Sequence, residues 1–132
     1  MLVDSEDPVA DIEKTWLHLH SSVDWKKPDW AIDDHVLMMT TCMETWIVCD
    51  HTALLGHYGA NLQVNALPDL VDIEQRNRHA IQGALVDATR NCSNAYSKGK
   101  RSFEVLAQLT PNTLLLLLPS FARVVRILKT KL

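Results

Sequence analysis

Residues 33–59 read DDHVLMMTTCMETWIVCDHTALLGHYG, and the reading of this stretch decides the fold. At helical spacing Met38, Met39, Cys42, Trp46, Cys49 and Ala53 share one face, and Val36, Met43, Ile47 and Leu54 share another. Only Glu44 and Asp50 are charged between Val36 and Leu55. A helix apolar on most sides must be surrounded on most sides. The pattern therefore predicts one central helix, starting at Asp33 or Asp34 and stopping near Gly56 or Gly59. Asp33 and Asp34 stand where capping carboxylates belong, and glycine supplies the left-handed residue that ends a helix.

Helical periodicity continues on both sides. Asp7-Pro8 is a capping residue followed by a first-turn proline, and Val9, Ile12, Trp16 and Leu19 then recur at 3-4-3 spacing. This predicts a helix over 8–21. Pro68-Asp69 opens the longest predicted helix, with an alanine-rich stripe from Leu70 to Ala95, ending at Gly99. A short helix is expected over 103–109, and Thr110-Pro111 starts another. Pro119 must end or kink that one, because proline lacks the N–H donor and clashes one turn back. The last helix carries Phe121, Val124, Val125, Leu128 and Leu132 on one side. The expected fold is all-α: one domain over 1–132, an irregular bundle of four main helices plus one or two short ones.

Composition bounds the function. The chain has 132 residues, with 47% apolar and 22% charged side chains, which is ordinary globular composition. Cys42, Cys49 and Cys92 are odd in number and lack paired spacing, so reduced thiols are expected. The acidic start has no apolar secretory core, and the longest apolar run, Leu114 to Pro119, is far short of the ~18 residues of a membrane span. The expectation is an intracellular protein, cytoplasmic or nuclear, without a membrane span. Asn91-Cys92-Ser93 matches a glycosylation sequon, which in this context is read as chance.

No motif carries chemistry. His35, Cys42 and Cys49 are seven residues apart and would share a helix face, but such neighbours lie about 10 Å apart along the axis, too far for one ion. Cys49 and His51 diverge on a helix and make no nucleophile–base pair. There is no glycine-rich phosphate loop. No cofactor, no metal and no catalysis are expected.

Charge, by contrast, is sorted. Residues 1–50 hold eleven acidic and three basic side chains, whereas residues 98–132 hold seven basic and one acidic. An acidic head and a basic tail attract, within one molecule or between two, which points to docking and assembly. The candidate contacts are the basic residues Lys98, Lys100, Arg101, Arg123, Arg126, Lys129 and Lys131, together with the connector tryptophans Trp25 and Trp30 beside Lys26 and Lys27. Tryptophan is favoured at interface hot spots. The leading expectation is a non-catalytic protein–protein interaction or assembly domain, self-associating through its charged ends. The first alternative is a nucleic-acid-associated helical protein, a small coat protein or regulator, using the basic C-terminal segment on phosphates. The second is a metal or ligand sensor at the second helix.

Overall fold

The central stretch does not form one helix. In the computed structural model, which describes residues 1–131, the elements run β1 (Leu2–Asp4), α1 (Thr15–Val23), β2 (Leu37–Met39), α2 (Met43–Val48), α3 (His51–Tyr58), α4 (Arg78–Thr89), α5 (Lys100–Leu106), α6 (Pro111–Leu117) and α7 (Pro119–Lys131). The chain is mostly helical, but β1 and β2 pair in parallel, with Leu2 opposite Leu37, Val3 opposite Met38 and Asp4 opposite Met39. A bundle of four main helices is therefore not what the residues build: the described residues form seven helices, most of them short, and a small sheet against which α7 and α2 pack. Leu132, expected on the apolar stripe of the last helix, lies outside the described residues.

The predicted helix over 33–59 resolves into a strand and two helices for a physical reason. Val36 and Met38 face a small core with Val9 and Leu19, while Met39 packs against a larger core built on α2, α4 and α5. A strand between two cores is apolar on both faces, and so is a buried helix. Asp50 makes the second break. Its carboxylate accepts the Ala53 N–H at 3.1 Å and caps α3, so the chain turns between Val48 and His51. The surrounded helix of the sequence reading survives only as α2, where Glu44 through Val48 are all buried. The Trp46 ring meets Phe121 edge-on with centroids 5.0 Å apart.

Two other helices are shorter than the periodicity predicts. The helix expected from residue 8 begins at Thr15, because its cap comes from elsewhere: the Asp33 carboxylate accepts the Trp16 N–H at 3.1 Å. Asp33 thus caps α1, not a helix of its own, and Asp7 instead accepts from the Ser22 hydroxyl. The helix expected over 68–99 occupies only Arg78–Thr89. Asn77 starts it by accepting the His79 N–H at 2.8 Å, and Thr89 ends it, its hydroxyl donating to the Leu85 carbonyl while accepting the Tyr96 N–H. Two of the proline signals hold, while Pro8 and Pro68 open no helix. Pro111 stands in the first turn of α6, and α7 starts at Pro119 after an extended Leu118.

The three cysteines are buried and unpaired. Burial pushes the Cys49 thiol up to about 12, the Glu74 and Asp50 carboxylates adding to it, and burial raises the Cys42 thiol as well. Thiol labelling of the native protein should accordingly be slow at Cys42 and Cys49 and become fast on unfolding. Fast labelling of the folded protein would mean that the α2 region opens. No helix among the described residues is long and apolar enough to cross a membrane.

Candidate interaction surface

The connector between α1 and β2 is pinned by polar contacts that leave its tryptophans outside. The Ala31 N–H donates to the Pro28 carbonyl, and the Lys27 ammonium donates to the Ala31 carbonyl at 3.1 Å. The Ile32 N–H donates to His35 Nδ1, and Trp16 Nε1 donates to the Ile32 carbonyl at 3.0 Å. Lys26 is exposed beside this turn. Trp30 is 77% exposed and Trp25 44%. The Trp30 ring lies beside the His35 imidazole, with centroids 5.9 Å apart.

Trp30 forms one wall of an apolar groove of about 460 Å³. Trp16, Leu37, Ile127 and Leu128 line its interior, and Asp34, His35 and Lys131 contribute polar groups. The indole N–H of Trp16 is already satisfied, so that ring offers the groove an apolar surface. The groove thus joins one connector tryptophan to the C-terminal turns of α7, two features far apart in sequence. Trp25 is not among its lining residues.

The basic tail divides. Arg123, expected on the contact surface, is instead 4% exposed. Its guanidinium donates to the Val36 carbonyl at 2.8 Å, the Asp33 carbonyl at 2.9 Å and Glu13 Oε1 at 3.1 Å, and lies 3.7 Å from Asp34. It is buried because the turn before β2 presents carbonyls that need a donor. Arg126 donates to Glu13 Oε2 at 2.8 Å. Head and tail therefore do attract, and these two arginines spend that attraction inside the molecule. Lys129 and Lys131 remain exposed on α7. Lys98 lies 3.8 Å from the buried Glu44 carboxylate, and Lys100 and Arg101 are exposed at the start of α5. Since α5 packs on α2 and α3 whereas α7 packs on α6 and β2, the basic residues do not form one surface.

The candidate ligands of the sensor reading are separated too. His35 stands at the groove, while Cys42 and Cys49 sit in the larger core, Cys42 beside the Thr45 hydroxyl at 3.7 Å. Among the described residues no three of His, Cys, Asp and Glu converge as an ion would require.

Three buried carboxylates escaped the sequence reading as organising groups. Both oxygens of Glu74 accept the Ser120 N–H, at 3.1 and 3.2 Å, at the start of α7, and the Ser120 hydroxyl donates to Thr40 Oγ1 at 2.9 Å. Burial pushes the Glu74 carboxyl up to about 7, the Ser120 hydrogen bonds pulling the other way. Asp50 accepts the Thr110 N–H at 2.8 Å besides capping α3. Glu44, 1% exposed, accepts from Gln82 Nε2 at 3.3 Å. Glu44 and Asp50 were detectable as the two charges in an apolar run. Glu74 carried no such signal, because Arg76, Arg78 and other polar residues stand around it in the predicted helix. Comparison with protein-family models, curated proteins and solved structures finds no match to this chain.

Proposed function

We propose that this chain is a non-catalytic interaction domain that self-associates in a two-fold manner through the Trp30 groove. The exposure of Trp30 over an apolar cleft carries this reading. Tryptophan is among the residues enriched at interface hot spots, and an exposed apolar patch beside polar groups marks contact sites. The groove's charges favour a second copy as the occupant. Lys131 lines it, with Lys129 exposed on the same helix, and Asp34 lines it as well, with the exposed Asp29 next to Trp30 in sequence. A two-fold axis would set Lys129 and Lys131 of one copy against the exposed Asp29 of the other, the self-complementarity an isologous contact requires. The exposed Trp25 and Ile32 extend the apolar area of the connector toward the size a stable interface needs.

Sedimentation of the wild-type protein should show a concentration-dependent monomer–dimer equilibrium. Trp30→Ala should weaken it about tenfold or more, equivalent to ~1.4 kcal/mol, with the far-UV spectrum unchanged. A strict monomer at high concentration would overturn the reading. Duplex-DNA retardation that is lost on replacing Lys129 and Lys131 would favour the nucleic-acid alternative. That alternative has weaker support, because Arg123 and Arg126 are already engaged with Glu13.

A further inference from the structure

We propose that the outer edge of β1 docks an extended basic segment of a protein partner, which joins the sheet as a third strand. This goes beyond the Trp30 groove and does not depend on self-association. The ladder fixes which groups face outward. The Leu37 N–H donates to the Met1 carbonyl at 2.7 Å and the Ser5 N–H to the Met39 carbonyl at 3.1 Å. In a parallel pair this turns the backbone groups of Met1, Val3 and Ser5 toward β2. Those of Leu2 and Asp4 point the opposite way. Among the described residues no group hydrogen-bonds to the backbone N–H or C=O of either. β2 is different: α7 packs against it, and Arg123 of α7 donates to the Val36 carbonyl just before the strand. β2 is covered by a helix, and the outer edge of β1 is open.

The open edge lacks most of the usual protection. An edge strand is commonly guarded by lysine, proline or a bulge, and β1 has the sequence Leu-Val-Asp. Leu2 is 50% exposed, and Asp4 is exposed as well. An added strand would bond to the backbone of both residues and cover the Leu2 side chain. At three residues β1 is short, so backbone pairing alone gives a weak complex and charge must supply the rest.

The local charge selects the partner. Asp4, Glu6 and Asp7 follow one another at this end of the molecule, with the Glu44 carboxylate behind Asp4. Arg78, 3.6 Å from Asp7, and Lys98, on Glu44, offset part of this. Burial and Glu44 hold the Asp4 carboxyl above its ordinary range, and an arriving ammonium would counter the second of these. A second copy of β1 would bring its own Asp4 and Glu6 to the same edge, and like charges across a strand pair oppose pairing. A lysine- or arginine-bearing extended segment of another protein is the complementary occupant.

The test uses the full chain and two capped hexapeptides, one alternating lysine with valine and one alternating glutamate with valine. Amide exchange by NMR should slow about tenfold or more at Leu2 and Asp4 with saturating lysine–valine peptide. The glutamate–valine peptide should give no protection at the same concentration. Leu2→Pro removes an outward N–H without touching the ladder to β2 and should weaken lysine–valine binding about tenfold. Should Leu2→Pro fail to fold, the paired change Asp4→Asn and Glu6→Gln carries the test, with a loss of similar size expected. Unprotected Leu2 and Asp4 amides at saturation, or equal binding of both peptides, would overturn the proposal. Protection in the unliganded protein that grows with its own concentration would overturn it in favour of pairing between copies.

Discussion

Arg123→Ala should lower the unfolding free energy by about 3–5 kcal/mol, measured by denaturant titration at neutral pH. The guanidinium is almost fully buried and donates to two backbone carbonyls, those of Val36 and Asp33, and to Glu13. Truncation leaves both carbonyls without this donor in a site too enclosed for easy rehydration. It also removes the alkyl stem from the space between α7 and the turn before β2. Glu13→Gln provides the contrast. The Glu13 side chain is about half exposed, so its loss should cost about 1 kcal/mol or less. A loss below about 1 kcal/mol for Arg123→Ala would mean that the guanidinium reaches solvent and that the α7–β2 contact is not held by it.

Glu74→Gln should stabilise the protein by about 1–3 kcal/mol at about pH 8 and make little difference near pH 4.5. The carboxyl moves from an ordinary value of 4.5 to about 7 in the folded state, chiefly through burial. A carboxyl that holds its proton more tightly when folded favours the folded state below the unfolded value. That contribution is lost as pH rises from about 4.5 to about 7. At about 1.4 kcal/mol per tenfold change in proton affinity, the whole loss is about 3 kcal/mol. Glutamine keeps an oxygen to accept the Ser120 N–H and carries no charge at any pH. The variant's stability should therefore be flatter across this window. An unchanged slope would show that Glu74 is solvated and ionises normally.

What the sequence disclosed follows a physical division. Pro111 and Pro119 were legible because a proline fits a first helical turn and stops the helix before it, whereas the same signal at Pro8 and Pro68 was overridden by caps further along the chain. The burial of Trp46, Cys42 and Cys49 was legible because an uncharged run must be covered. The strand at Leu37–Met39 was not, since its apolar residues fit a surrounded helix as well as a strand between two cores. Nor was the start of α1, whose cap is Asp33, 17 residues beyond the Trp16 N–H that it binds. Arg123 looked like one more cation on an amphipathic helix, and only the carbonyls of a distant turn make it a core residue. Of the candidate surface, Trp30 and Lys131 were named from the sequence. Their meeting in one groove was not, because nothing local links the connector to the end of α7.

Asp50 has a consequence for how the molecule comes apart. One oxygen holds the first turn of α3 through the Ala53 N–H, and the other holds the residue before α6 through the Thr110 N–H, 60 positions later. Neither helix can fray at its start without stranding half of a buried carboxylate. The two beginnings should thus open as one cooperative unit, and under native conditions the Ala53 and Thr110 amides should exchange with solvent at a common rate.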